Sequence, residues 1–108
     1  MTPSPSALEE GLVRELRHWM GRALAEVGSL PTAATIRWRS RAGVARDLVA
    51  ARHALEAVRL YATECLEGNA ALSLSPATRD VAALAVALCR DLEREVSVVD
   101  HELLIYAR

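Results

Sequence analysis

The stretch VARDLVAARHALEAVRLYATEC, residues 44–65, decides the fold of this chain. Its apolar residues recur at alternating steps of four and three, the heptad spacing of a helix that packs lengthwise against other helices. The sequence therefore predicts a long amphipathic helix that the segments before and after it cover. We call the apolar positions the central seam: Val44, Leu48, Ala51, Leu55, Val58, Ala62 and Cys65.

The composition is that of one small domain with an aliphatic core. The 108 residues are 52% hydrophobic, yet the chain contains no Phe, so its core is built from small groups that allow helices to approach closely. The net charge of −1 argues against a globally basic nucleic-acid binder. All 13 basic residues are Arg, a bias typical of GC-rich bacterial genomes.

The cysteines and the N-terminus indicate a cytoplasmic protein. Cys65 and Cys89 lie in predicted helices without CxxC spacing, so we expect two reduced, buried thiols. The Pro/Ser-rich residues 1–5 lack the basic start of a signal peptide and predict a disordered tail. The longest apolar run, residues 81–89, is far short of the about 20 residues that span a bilayer.

The segment before the central seam predicts a helix that starts at Ser6. Ser6 and Glu9 have the spacing of a capping box, in which both residues satisfy backbone groups at the helix start. Gly28 and Pro31 end the helix, because glycine favours the position after a helix and proline blocks its continuation. Its apolar arc contains Leu8, Leu12, Val13, Leu16, Trp19, Met20, Ala23, Leu24 and Val27.

The helix that carries the central seam is expected to begin near Thr32 or Thr35. Residues 40–43 are its weak point, since a glycine in a helix interior costs about 1 kcal/mol relative to alanine. A kink or short break is therefore expected there. Gly68 ends the helix, and residues 69–74 form a loop.

The third helix is expected to run from Pro76 to the C-terminus. Ser75 is its predicted N-cap, and proline suits the first helical position. The sequence thus predicts an all-α fold: an antiparallel three-helix bundle, residues 6–108, with a long C-terminal helix. The main apolar stripe of that helix is predicted to contain Val81, Leu84, Ala85, Leu88, Leu92, Val96, Val99, Leu103 and Tyr106.

One end of the predicted bundle gathers charged and aromatic residues. On a continuous second helix, Arg37 and Arg41 would extend the central seam as charge and face the acidic segment of residues 91–102. Three interpretations remain open: an inter-helix salt-bridge network, a polar pocket whose arginines hold an anion, or a surface for a partner. The candidate ligand-binding residues are Trp19, Arg37, Trp38, Arg41, Glu95, Glu102 and Tyr106.

Other chemistries have little support in the sequence. His18, His53 and His101 each lie opposite the apolar stripe of their helix, so we expect no metal site, and no motif points to a cofactor. No Gly-x-Ser-x-Gly or glycine-rich phosphate loop occurs. Arg37 and Arg39 diverge by about 200° on a helix, so they form no single nucleic-acid-binding stripe.

The third helix also has apolar residues outside its main stripe. Val98 and Ile105 are one heptad apart and share a side with Ala87, while Leu104 adds apolar surface nearby. Two neighbouring helices cannot cover all of these residues. We therefore expect a homodimer through the C-terminal third of this helix.

Parts of the chain resemble a known family. The segments LR at 16–17 through EV at 26–27, LP at 30–31, RAGVAR at 41–46 with Leu48, and 84–92 with ALC at 87–89 carry the likeness. They resemble short actinobacterial proteins of unknown function that are often labelled natural product biosynthesis proteins. The resemblance implies a cytosolic helical accessory or binding module connected with bacterial secondary-metabolite biosynthesis, and it assigns no reaction or catalytic residue.

A second comparison supports an alternative function. The chain is similar in size and helix length to the all-helical chorismate mutases, whose anion site is rich in arginine. It departs from them because it contains no Lys and no Gln, two residue types that normally serve in that site. The alternative is thus a small helical-bundle enzyme or ligand binder acting on an anionic small molecule at the Arg37/Trp38/Arg41 end.

Overall fold

A computed structural model describes residues 5–68 and 73–106. It contains helix α1 (Pro5–Gly28), a short 3-10 helix (Ile36–Trp38), helix α2 (Arg41–Glu67) and helix α3 (Pro76–Tyr106). Within these ranges no strand occurs, so the predicted all-α fold with three helices is confirmed. Pro5 is already helical, while residues 1–4 of the predicted tail and residues 69–72 of the predicted loop lie outside the described residues.

The core follows the central seam of α2. All seven seam residues are buried, as the heptad spacing predicted. α2 packs against both α1 and α3, and the contact between α1 and α3 is less extensive. α2 is therefore the helix that holds the other two together.

The apolar stripe of α3 was predicted in part incorrectly. Leu84 is 67% exposed, whereas Ala82 and Cys89 are buried. Ala85, Leu92, Val96 and Val99 of the predicted stripe are buried, but in the first half of α3 the buried positions belong to small residues, which let helices approach closely. The buried residues of α3 form their own repeat of four and three: Thr78, Ala82, Ala85, Cys89, Leu92, Val96 and Val99.

The expected weak point before the central seam is a complete break. The 3-10 helix ends at Trp38, and Ser40 then caps a new helix by accepting a 3.0 Å hydrogen bond from the Gly43 N–H. Ile36 is only 4% exposed and anchors the connecting segment in the core. The expectation of a continuous second helix, with Arg37 in line with the central seam, is therefore wrong.

The start of α3 agrees with the sequence. The Ser75 hydroxyl accepts a 3.3 Å hydrogen bond from the Thr78 N–H, and Pro76 occupies the first helical position. At its other end the helix reaches Tyr106, which makes it, at 31 residues, longer than α1 with 24. The predicted long C-terminal helix is therefore confirmed.

Candidate functional site

The predicted arginine end is exposed. Trp38 ends the 3-10 helix with 80% of its surface accessible, and both Arg37 and Arg41 are exposed. Among the described residues, neither arginine forms an ion pair. Their guanidinium groups are therefore accessible to a ligand or to a partner.

The salt-bridge network that was one interpretation of this end does not form between Arg37 or Arg41 and the acidic segment among the described residues. Glu95 is exposed and Glu102 is half-buried, and neither is paired with Arg37 or Arg41. Arg39 instead spans the break before α2 and binds Asp47 at 2.8 Å. The break redirects the chain after the 3-10 helix, which is why the facing arrangement expected for a continuous helix is absent.

The three aromatic residues of the predicted site have different surroundings. Trp19 of α1 is half-buried, with its ring 5.2 Å from that of His18 and 5.7 Å from that of His53 on α2, both edge-to-face. Tyr106 is 48% exposed at the last residue of α3. The ring contacts of Trp19 within the described part of the chain are thus to imidazoles rather than to Trp38 or Tyr106.

The C-terminal third of α3 presents large apolar side chains to solvent. Val98 is 56% exposed, Leu104 71% and Ile105 57%. We call these three residues the terminal patch. Val98 and Ile105 are one heptad apart on the same side of α3, and Leu104 adds exposed apolar area near the helix end, so the terminal patch is a candidate contact surface.

A hydrogen-bond cluster joins α1 to the start of α3. Oε1 of Glu9 accepts hydrogen bonds from the Ser75 N–H at 2.9 Å, from the Ser75 hydroxyl at 2.5 Å and from the Thr78 hydroxyl. These hydrogen bonds lower the pKa of the Glu9 carboxyl from its ordinary value of 4.5. The bond from the Ser75 hydroxyl makes the largest contribution to this shift. The capping role predicted for Glu9 within α1 is wrong, because its carboxylate binds the N-terminus of α3 at Ser75, 66 residues further along the chain. The side chain of Ser6, the other residue of the predicted capping box, lies outside the described part of the chain.

A cavity of about 610 Å³ opens beside this cluster. Its α1 side carries charged residues and one half-buried valine, and its α3 side carries the two hydroxyl residues of the cluster. No sequence motif signalled it, because the cavity depends on how α1 and α3 are placed relative to each other. The lining residues are Glu9, Glu10, Val13, Arg14, Arg17, Ser75 and Thr78.

The two cysteines are unsuited to nucleophilic chemistry. Both are unpaired and buried, as predicted. Burial raises the pKa of each thiol, and the nearby Glu64 carboxylate raises that of Cys65 further. The Cys89 thiol donates a weak hydrogen bond, 3.8 Å, to the carbonyl oxygen of Leu55, so it serves the packing of α3 on α2.

The described residues contain neither a metal-binding cluster nor a membrane-spanning helix. Within residues 5–68 and 73–106, no group of three or more His, Cys, Asp and Glu side chains is arranged to hold a metal ion. None of the helices described has the length and apolarity to cross a bilayer.

Comparisons with other proteins do not extend this description. No protein-family model matches the chain, and neither the characterised proteins nor the solved structures contain a match to it.

Proposed function

We propose that this chain is a small helical interaction module: an antiparallel three-helix bundle that forms a homodimer through the C-terminal third of α3. The resemblance described above adds the proposal that the module works in the bacterial cytosol in secondary-metabolite biosynthesis. The physical support comes from the order of the helix contacts and from the terminal patch.

Contacts between α2 and α3 support the antiparallel arrangement. Arg52 pairs with Asp100 at 3.1 Å, and Arg59, further along α2, pairs with Glu93, which lies earlier in α3. As residue numbers rise along one helix, those of their partners fall along the other. Only eight residues separate the end of α2 at Glu67 from the start of α3 at Pro76, a connection of the length that joins antiparallel neighbours.

The terminal patch is the observation that carries the dimer proposal. Three large aliphatic side chains, each more than half exposed, lie within eight residues of α3. Glu9 places the start of α1 beside the start of α3, and α1 is seven residues shorter, so α1 ends before the C-terminal end of α3. An isologous contact, in which each copy offers the same patch, is the commonest way to bury such a surface.

Light scattering coupled to size exclusion, at micromolar concentration, tests the dimer. We expect the wild-type chain to have twice the mass of 11.7 kDa. We expect the V98E/I105E variant to have the monomer mass, because a twofold contact would bury four carboxylates without partners.

The α2 helix offers a matched control. Val49 and Leu60 are 65% and 62% exposed, much like Val98 and Ile105. The V49E/L60E variant introduces the same charge on a different helix, so it should remain a dimer. A wild-type monomer would refute the dimer, and a dimer that persists in V98E/I105E would refute this interface.

A second candidate function is supported by the unpaired arginines. Arg37 and Arg41 are exposed beside the exposed Trp38 and lack ion pairs among the described residues. Guanidinium groups bind carboxylates and phosphates through paired hydrogen bonds. The candidate is a binder of an anionic small molecule, or an enzyme acting on one, at this end.

A thermal-shift panel of carboxylates and phosphates tests this candidate, because a ligand that binds the folded state raises the melting temperature. We expect Arg41→Ala to abolish such a shift without lowering the stability of the free protein. Arg46→Ala removes another exposed arginine of α2 and serves as the control. A shift that survives in Arg41→Ala would contradict the assignment of Arg41.

A further inference from the structure

The cavity beside the Glu9 cluster has the size of a small-molecule site. Its volume of about 610 Å³ lies within the range of about 300 to 1,000 Å³ that is common for ligand pockets. It lies where α1 passes the first turn of α3, and it shares no residue with the arginine end or with the terminal patch. A ligand here would thus be independent of the function proposed above.

Two arginines give the cavity its binding chemistry. Arg14 and Arg17 line it, are exposed, and form no ion pair among the described residues. Side chains three residues apart on a helix are neighbours, with Cβ atoms about 5–6 Å apart. Two guanidinium groups at this spacing can bind one anion with several charge-assisted hydrogen bonds.

The two acidic residues of the cavity differ in whether their carboxylates already have hydrogen-bond partners. Oε1 of Glu9 already accepts three hydrogen bonds, from the hydroxyls of Ser75 and Thr78 and from the Ser75 N–H. Glu10 is exposed, and its carboxylate has no hydrogen bond or ion pair among the described residues. The lining thus holds two carboxylates and two guanidinium groups, and their formal charges balance. The preference for an anion comes from the hydrogen-bond donors: the two guanidinium groups have no partner among the described residues, whereas the Glu9 carboxylate is already occupied.

The cavity wall also offers an apolar contact. Val13 lines the cavity between Glu9 and Arg17 on α1, and it is only half-buried. A free inorganic anion would not cover this side chain, whereas a ligand with an apolar body would. We propose that the cavity binds a small organic anion, with its carboxylate or phosphate on Arg14 and Arg17 and its apolar body against Val13.

Two-dimensional NMR of the isotope-labelled full chain tests this proposal with 4-phenylbutyrate as the probe. We expect saturable shifts of the backbone amide signals of Val13, Arg17 and Thr78. The signals of Arg37 to Arg41 should stay unchanged, which separates this site from the arginine end. The cation 4-phenylbutylamine should produce no such shifts, and inorganic phosphate alone should bind at least about tenfold more weakly.

Variants identify the residues responsible. We expect R14A/R17A to bind 4-phenylbutyrate about tenfold to hundredfold more weakly, as the loss of charge-assisted hydrogen bonds implies. Glu10→Gln should bind it more tightly, by about twofold, because a like charge is removed. Arg46→Ala, which removes an exposed arginine elsewhere, should bind it like the wild type.

The proposal is overturned by several results. Equal binding of the amine and the carboxylate would contradict an anion site, and equal binding by R14A/R17A would contradict the arginines. If that double variant loses its helical circular dichroism, Glu10→Gln and Val13→Trp, whose indole would occupy the cavity, decide the matter. Unchanged affinity in both of these would overturn the site.

Discussion

α3 makes two very different helix contacts. Its buried repeat is apolar apart from Thr78, and Cys89 of that repeat contacts Leu55 of α2. The ion pairs of Arg52 with Asp100 and Arg59 with Glu93 also join the two helices. Against α1 the contact is less extensive, and at the start of α3 it depends on one carboxylate, Glu9, that accepts three hydrogen bonds. The first contact is long and apolar, and the second is local and polar.

The difference indicates what each contact contributes. Apolar burial along a seam is summed over many residues and supplies most of the free energy of folding. A polar cluster contributes less net free energy but specifies which residues meet, because its hydrogen bonds need a defined geometry. We therefore infer that the α2–α3 contact provides stability and that the Glu9 cluster fixes the position of α1 along α3.

The largest expected effect is on the apolar contact. Leu55 is 3% exposed in the middle of the central seam, and its carbonyl oxygen accepts a hydrogen bond from the Cys89 thiol. We expect Leu55→Ala to lower the free energy of unfolding by about 2–5 kcal/mol, because it leaves a cavity between the helices. Urea denaturation followed by circular dichroism measures this loss.

Leu60 provides the control for this substitution on the same helix. It is 62% exposed, so Leu60→Ala removes the same atoms without opening a cavity. We expect a change within about 0.5 kcal/mol. Similar losses for both variants would show that the central seam is no more buried than the outer side of α2.

The polar contact should respond to pH. Hydrogen bonds lower the pKa of Glu9 in the folded state. Its ionised carboxylate therefore stabilises the fold at pH values above the ordinary pKa of 4.5. That contribution is lost as the pH falls from about 4.5 through the lowered pKa. We expect Glu9→Gln to destabilise the protein at about pH 7 and to have a smaller effect on stability in acid.

Urea midpoints of the wild type and Glu9→Gln at about pH 7 and pH 3 give this comparison. Glu10→Gln is the neighbouring control, since the Glu10 carboxylate has no hydrogen bond among the described residues. We expect its midpoint to follow that of the wild type at both values. If Glu9→Gln also follows the wild type at both values, the Glu9 cluster does not stabilise the folded state.

The smallest expected effect concerns the cap at the start of α2. Ser40→Ala should cost about 1 kcal/mol, because the Gly43 N–H loses its acceptor. Gly43→Ala would place a Cβ atom 2.7 Å from the Ser40 Oγ, so the hydroxyl must turn away. We expect this loss and the higher helix propensity of alanine to cancel to within about 0.5 kcal/mol.

A double-mutant cycle separates these two contributions. Once alanine at position 43 has displaced the hydroxyl, Ser40→Ala should cost almost nothing further. A full cost of about 1 kcal/mol in the Gly43→Ala background would show that the cap persists and that the crowding is relieved elsewhere.

The two contacts of α3 also differ in how far the sequence predicts them. The central seam was predicted residue by residue, because heptad spacing is a local property that burial then confirms. The α3 stripe was predicted only in part, since the large Leu84 was favoured over the small Ala82 and Cys89, which are the buried residues. Periodicity indicates a face, but close helix packing selects for small residues on it.

The site residues were harder to predict for a different reason. Glu9 was assigned to its own helix because a capping box needs only local spacing, whereas its actual partners are Ser75 and Thr78. The break at residues 39–40 likewise changed the direction of Arg37 relative to α2. Such polar contacts depend on where separate helices meet, which no short sequence pattern specifies.

The terminal patch on α3 takes part in neither the α2 contact nor the α1 contact, and we propose that it joins two copies of the chain. The most direct test is the melting temperature of the wild type at about 1 and about 100 μM. For a dimer that unfolds to monomers, we expect a rise of about 5 °C or more at the higher concentration, and no rise for V98E/I105E. A wild-type melting temperature that is the same at both concentrations would contradict the dimer.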